Sequence, residues 1–141
     1  MTRFVLDASL SAAWFIPDPE RDHAVAVRSR LAAGSTAVVP WIWTAETANT
    51  LAKAVRRGVL TEEDAEYGLQ QLEVLTMSGA QIMVSPNVTS LREAYVVARK
   101  HQVSAYDGVC LKLAIDEGLP LATLDNGLRA AALKAGVELV R

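Results

Sequence analysis

Short apolar runs alternate along the chain with longer stretches in which apolar residues recur at helical spacing. Short runs rich in Val, Leu and Ile are typical of strands that are buried on both faces of a sheet. The pattern predicts strands at residues 4–6, 36–39, 81–84, 119–123 and 137–140. Because these strands alternate with helices, we predict an α/β domain with a parallel sheet, in which ligands bind beyond the carboxyl ends of the strands.

The helices are predicted from the residues that begin and end them. Ser9 is predicted to cap a short helix that ends before Pro17. Asp18 followed by Pro19 is predicted to begin a second helix that runs to about residue 33. Further helices are predicted at residues 42–57, 61–77, 88–101, 105–117 and 126–135.

The composition indicates one packed domain over residues 1–141. Of its 141 residues, 51% are hydrophobic and 21% are charged, which argues against a disordered chain. The net charge of −2 argues against a broad basic coat for non-specific binding of duplex nucleic acid. A single cysteine excludes an intrachain disulfide, and Asp7 interrupts the apolar run near the start, so we expect a cytoplasmic protein.

Four acidic residues occupy positions where a solvated acid is not the obvious choice: Asp7, Glu46, Asp107 and Asp125. Two of them follow predicted strands, and the other two lie among apolar and small residues. Carboxylates that share one cavity need a compensating cation. Oxygen ligands without sulfur or imidazole suit Mg²⁺ or Mn²⁺, which can activate water for an in-line phosphoryl displacement. The residues alone therefore suggest a metal-dependent phosphodiesterase.

Each of the four acids also has a structural interpretation. Asp7 and Asp125 can cap the helices that follow them. Asp107 completes the pattern S-x-x-D before an apolar run, which is a capping box with Asp in place of Glu. Glu46 falls on a polar stripe with Asn49, Thr50, Lys53 and Arg57, so periodicity alone favours a solvated face. The opposite, apolar stripe contains Ala45, Ala48, Leu51, Ala52 and Val55.

Several other classes of site lack their signatures. The sequence contains no P-loop, no G-x-G-x-x-G dinucleotide motif, no CxxC pair and no H-E-x-x-H motif. His23 and His101 lie in charged stretches, which does not support a Ser/His/Asp triad. Cys110 lies in an apolar helical stretch and is interpreted as a small core residue.

Four segments, taken in order, resemble the PIN-domain ribonucleases, specifically the toxins of VapBC toxin–antitoxin systems. The segments are FVLDAS (4–9), ETANTL (46–51) after Pro40, SAYDG (104–108) continuing through residues 113–114, and LPLATLD (119–125), and they span nearly the whole chain. The chain departs from the family at Gly108, where Ala is more usual, at Cys110, where an aromatic is frequent, and at Asn126, where many relatives are charged. These departures leave the four acids in place.

The resemblance implies a three-layer α/β/α fold with a central parallel sheet. It implies that Asp7, Glu46, Asp107 and Asp125 converge as ligands of Mg²⁺ or Mn²⁺ and are catalytic. It also implies endonucleolytic cleavage of RNA by metal-activated water, a homodimer, and a cognate VapB-type antitoxin that covers the active site.

Further residues are assigned supporting roles as hypotheses. Ser9, Thr123 and Asn126 are candidate partners of the acids or of the scissile phosphate, with helix capping as the alternative. Five basic residues near the acids are candidate contacts to RNA phosphates, with a solvated charged surface as the alternative: Lys53, Arg56, Arg57, Arg99 and Lys100.

Two other functions compete with the metal-dependent endoribonuclease. A catalytically silent PIN-like binding module is disfavoured because all four acids are present. A receiver-like signalling domain would need adjacent acids after the first strand and an acceptor Asp near the middle of the chain. Residues 7–9 lack the former and residues 81–85 lack the latter.

Overall fold

Four short parallel strands form the centre of the protein in a computed structural model that describes residues 2–141. The strands are β1 (Arg3–Leu6), β2 (Thr36–Val39), β3 (Ile82–Val84) and β4 (Leu121–Ala122). The helices are α1 (Ala8–Ala12), α2 (Arg21–Ala32), α3 (Trp43–Arg56), α4 (Glu62–Met77), α5 (Leu91–His101), α6 (Ala105–Glu117) and α7 (Asn126–Lys134).

The sheet order is β3-β2-β1-β4, and every pair is parallel. The chain moves outward in one direction from β1 through β2 to β3, and then crosses back to place β4 on the other side of β1. The carboxyl ends of β1 and β4 therefore form the switch point of the sheet, which is where doubly wound folds bind their ligands.

Side chains of β1 alternate between two hydrophobic cores, as the pleat of a strand requires. Phe4 and Leu6 pack with residues of α1 to α4, whereas Val5 packs with residues of α6 and α7. Helices thus cover both faces of the sheet. The predicted three-layer α/β/α fold with a parallel sheet is confirmed.

The expected fifth strand at 137–140 is wrong. In the described residues this segment makes one isolated parallel bridge, between Leu139 and Leu121. Leu121 donates to the carbonyl of Glu138 and accepts from the amide of Val140. Because β4 has only two residues, residues 137–140 can pair with it at a single bridge and do not form a strand.

The predicted start of the second helix is also wrong. The helix begins at Arg21, because the Asp18 carboxylate accepts a hydrogen bond from the Glu20 amide at 2.8 Å. This bond closes a turn around Pro19 rather than capping a helix. The division into a single domain over residues 1–141 stays a prediction, and residue 1 lies outside the described residues.

The apolar stripe predicted for α3 is right at Leu51, which is buried, and at Val55, which packs against the core, and wrong at its three alanines. The helix buries Trp43, Thr47, Leu51 and Ala54, whereas Ala45, Ala48 and Ala52 are exposed. The bulky Trp43 and Leu51 decide which face packs, since alanine contributes little apolar area. The buried face is therefore rotated from the predicted one, and Glu46 is partly covered.

Candidate active site

Asp7 is the buried carboxylate of the site. It follows β1, and its amide continues the parallel ladder by donating to the carbonyl of Ala122 at 2.9 Å. Its Oδ2 accepts hydrogen bonds from the Ser9 hydroxyl at 2.6 Å and the Thr123 hydroxyl at 2.8 Å. No hydrogen bond from residues 2–141 reaches Oδ1, so this oxygen remains available to a ligand.

Asp7 does not cap α1 with its side chain, and the capping interpretations of Asp7 and Ser9 are both wrong. Ser9 instead joins the two central strand ends. Its hydroxyl oxygen accepts from the Leu124 amide at 3.1 Å and lies 3.2 Å from the Thr123 hydroxyl. Ser9 and Thr123 therefore hold the carboxylate of Asp7 against the segment that follows β4.

Asp125 is exposed and lies just beyond this network. Its amide donates to the Thr123 hydroxyl at 3.1 Å, and its Oδ1 accepts from the Leu128 amide at 2.7 Å. The capping interpretation of Asp125 is thus confirmed. The cap uses Oδ1, and no hydrogen bond from residues 2–141 reaches the other carboxylate oxygen.

Glu46 and Asp107 approach Asp7 from two helices. Burial, followed by the charges of Asp7 and Asp107, raises the pKa of Glu46 to about 7. Burial, followed by the charges of Asp7 and Asp125, raises the pKa of Asp107 to about 6, against a lowering hydrogen bond from Ser104. The four acids are therefore close enough to repel one another, and no basic side chain within residues 2–141 lowers either pKa.

Asp107 is held in place by the first turn of α6. Ser104 is the N-cap of α6, and its hydroxyl accepts a hydrogen bond from the Asp107 amide at 3.1 Å, which confirms the N-cap half of the predicted capping box. The cap and the acidic role are compatible, since the bond uses the backbone of Asp107 and fixes where its side chain begins. Cys110 is buried one turn later, as predicted for a core residue, and burial raises the pKa of its thiol.

The donor chemistry of this cluster fits a hard divalent cation. All four acids supply oxygen, and two carry raised pKa values that a bound cation would reverse. In the described chain no three His, Cys, Asp or Glu side chains are placed to hold one ion directly. Mg²⁺ keeps several of its waters, so a site that touches the ion through one or two carboxylates is sufficient.

The structure places the other predicted residues in different surroundings. Asn126 begins α7, and its amide oxygen accepts from Arg129 at 3.3 Å rather than contacting an acid. Arg129 also donates to the Thr123 carbonyl and pairs with Glu20 at 2.9 Å, so the charge of this guanidinium is already compensated.

The five basic candidates lie in four different surroundings. Lys53 and Arg57 line the same hollow beside the site, and Arg56 does not line it. Arg99 is exposed on α5, and Lys100 lines a separate hollow with His101 and Lys134. Asn49 and Thr50, which the polar stripe of α3 predicts to be solvated, line the same hollow as Lys53 and Arg57. Their spacing from Glu46, three and four residues, is the signal that identifies them.

Comparison with known proteins assigns the class. The PIN domain family model matches residues 4–134, and the chain belongs to this family. At 32% identity it resembles Ribonuclease VapC3 from Pyrobaculum aerophilum over 126 residues, which are 89% of this chain and 92% of that protein. This likeness confirms the predicted resemblance to VapC-type PIN-domain proteins.

Solved structures share the fold. The crystal structure of PAE2754 from Pyrobaculum aerophilum has a TM-score of 0.66 at 22% identity and covers 92% of this chain and 79% of that one. The crystal structure of FitAcB from Neisseria gonorrhoeae has a TM-score of 0.62 at 20% identity and covers 98% and 96%. No helix among residues 2–141 is long and apolar enough to cross a membrane.

Proposed function

We propose that this protein is an endoribonuclease of the VapC type that depends on Mg²⁺ or Mn²⁺ and acts as the toxin of a type II toxin–antitoxin system. The proposal is carried by one observation: the charges of Asp7, Asp107 and Asp125 raise the pKa of Glu46 or of Asp107, and Asp7 and Asp125 follow the two strands that meet at the switch point. Membership of the family and the likeness to Ribonuclease VapC3 support it.

The residues of the chain divide the work in this proposal. Asp7 and Asp107 bind the cation most directly, while Glu46 and Asp125 hold it or its waters. When bound, the cation supplies an activated water and neutralises charge on the scissile phosphate. Ser9 and Thr123 fix the rotamer of Asp7 through Oδ2 and leave Oδ1 for the ligand.

Partners and location form part of the same proposal. The substrate is RNA, the antitoxin is of the VapB type, and both act in the cytoplasm. The VapC-type likeness supports an antitoxin partner. A homodimer is supported by exposed apolar residues on α5, where Leu91 and Tyr95 lie four residues apart on one face.

Cleavage of total RNA by the purified chain tests this function. We expect cutting with Mg²⁺ or Mn²⁺, none in excess EDTA, and a loss of at least about 100-fold in Asp7→Asn and Asp107→Asn, because removing even a supporting partner of a metal ligand costs about 10–100-fold. Asp22→Asn is the matched control, since Asp22 is exposed on α2 and its charge contributes to neither of the two raised pKa values.

Circular dichroism of each variant verifies that the fold is retained. Undiminished cleavage by a folded Asp7→Asn protein, or in excess EDTA, contradicts the proposal. A folded wild-type protein that binds RNA and never cuts it would instead support the silent binding module.

A further inference from the structure

A hollow of about 240 Å³ lies beside the candidate active site, between the residues after α1 and one face of α3. Apolar side chains of Ile16, Ala54 and Val59 contribute to its wall, together with the amide of Asn49 and the cations of Lys53 and Arg57. It is smaller than the sites that enclose drug-sized ligands, so it would take at most one nucleotide unit of a longer strand.

The α3 residues that line the hollow lie on the same side of the helix as Glu46. At 100° per residue, positions 49, 53 and 57 lie within about 60° of Glu46 around the helix axis. At 1.5 Å per residue, Lys53 lies about 10 Å and Arg57 about 16 Å along that axis from Glu46. A stacked strand rises about 3.4 Å per nucleotide, so an RNA strand lying along α3 would bring phosphates a few nucleotides from the acids to these cations.

The two cations are free to take a ligand. Neither Lys53 nor Arg57 enters an ion pair with another side chain of residues 2–141, whereas Lys112 and Arg129 do. Both are exposed. The Thr50 hydroxyl in the same wall donates to the Glu46 carbonyl at 2.9 Å, which ties this part of the hollow to the residue that carries the acid.

Resting on the proposed function, we infer that this hollow binds a nucleotide of single-stranded RNA that flanks the scissile phosphate. Lys53 and Arg57 hold backbone phosphates, Ile16 and Val59 contact the base, and Asn49 donates to or accepts from its edge. Charge complementarity and continuity with the acids favour RNA over a peptide.

Fluorescence anisotropy with a labelled, mixed-sequence, single-stranded RNA of 12 nucleotides tests the inference. The full chain carries Asp7→Asn so that it does not cut. Losing both contacts in Lys53→Ala/Arg57→Ala should weaken binding about 25-fold at 0.1 M salt and reduce the salt slope by about 1.4, since each phosphate contact in a single strand contributes about 0.7 to that slope.

Two controls separate the hollow from general charge. Arg3→Ala, at the opposite end of β1, should leave the affinity unchanged. Arg56→Ala, one residue from Arg57 but 100° around the helix, should weaken binding less than two-fold. Equal losses in Arg56→Ala and Arg57→Ala would overturn the inference, because they would indicate a diffuse charged surface.

Photocrosslinking locates the base. With 4-thiouridine placed at each position in turn, we expect one position to crosslink to Ile16 or to residues 49–59. Crosslinks confined to other segments, or unchanged affinity in the double variant, overturn the inference. If the double variant keeps its RNA affinity but loses binding of an acidic, leucine-containing synthetic peptide, the hollow is a protein site.

If the proposed function were wrong, the experiments would give a different combination of results. In that case the wild-type chain does not cut RNA with either metal, while the double variant still loses RNA affinity. A wild-type chain that cuts, combined with unaffected binding in the double variant, rejects the hollow alone.

Discussion

Glu46 and Asp107 carry raised pKa values, about 7 and about 6, in the folded metal-free protein. The ordinary values are 4.5 and 3.8, so folding disfavours the charged form of both side chains. An acid whose pKa rises on folding stabilises the fold fully below its unfolded pKa, and this stability is lost as the pH rises through the folded pKa. The metal-free protein should therefore lose stability between about pH 4 and pH 7.

Replacing Glu46 or Asp107 by its amide should remove part of the stability that the metal-free protein loses as the pH rises. Without metal at pH 8, we expect Glu46→Gln to be more stable than wild type by about 1 kcal/mol, allowing for solvent screening of a partly buried carboxyl. The difference should vanish below about pH 4.5, where the carboxyl is protonated in both states. Urea denaturation at both pH values measures it.

Glu73→Gln, at an exposed position of α4, is the control and should show no such gain. Added Mg²⁺ should reverse the order at pH 8, because wild type then has the better ligand set. A Glu46→Gln protein that is less stable than wild type at pH 8 without metal would contradict the electrostatic account.

The four acids can be singled out from the sequence, but the residues that surround them cannot. Asp7 could be predicted as a candidate because it follows a buried strand, and Asp107 because S-x-x-D marks a helix start. The hydrogen bonds from Ser9 and Thr123 to Asp7 could not be predicted, since they depend on β4 lying beside β1. A partner more than a hundred residues away is set by topology, and local patterns carry no information about it.

Close contact between α5 and α6 explains one departure from the family pattern. A Cβ at Gly108 would lie 2.9 Å from Cγ1 of Val97 and 3.4 Å from the amide nitrogen of Ala98. Valine is stiff at χ1 and cannot swing aside easily. Glycine at position 108 therefore lets the helix that begins with Asp107 pack against its neighbour.

Gly108→Ala should destabilise the protein by about 1 kcal/mol. Overpacking costs about 1–3 kcal/mol, and the better helix propensity of alanine offsets up to about 1 kcal/mol. In a Val97→Ala background the clash is removed, so the same change should become neutral or stabilising. Urea denaturation of the four proteins of this cycle measures the coupling. A destabilisation that persists in the Val97→Ala background would contradict the packing explanation.

At the scale of elements, the sequence predicted the interior of each helix and strand better than its ends. Residues 126–135 and 61–77 were predicted nearly as α7 and α4 appear. The prediction of a fifth strand was wrong because an apolar run predicts burial only. A strand also needs a neighbouring strand that is long enough to pair with, and β4 has two residues. The helix start at Asp18 failed because an Asp-Pro pair favours a turn as well as a cap.

For the whole molecule, the exposed apolar face of α5 leads to a prediction about assembly. Leu91 is 91% exposed, the highest value among the large apolar residues described, and Tyr95 is 65% exposed. We expect wild type to sediment at twice the chain mass of 15.2 kDa and Leu91→Ser/Tyr95→Ser to sediment as a monomer.

Val74→Ser/Met77→Ser is the matched control for this prediction, since it removes an equally exposed apolar pair from α4. That variant should remain a dimer. A wild-type monomer would contradict the proposed homodimer, and a dimer that persists in the α5 variant would place the interface on another surface.

The net charge of −2 is compatible with RNA binding once the acids are located. Of the 16 acidic residues, the four at the switch point are concentrated in one place, and the remaining 12 face 14 basic residues. The rest of the molecule is therefore mildly basic. RNA would be held by the cation and by a few placed side chains, not by a uniform field.

The pairing of β1 with β4 has a consequence for the time at which the protein becomes active during synthesis. Asp7 is translated first, but Thr123, which fixes its carboxylate, and Asp125 follow more than a hundred residues later. At about 5–20 residues per second, the interval between positions 7 and 125 is roughly 6 to 24 s. A nascent chain that has not yet been extended through residue 125 therefore holds an incomplete set of the four candidate acids, and the proposed metal site assembles only after that point.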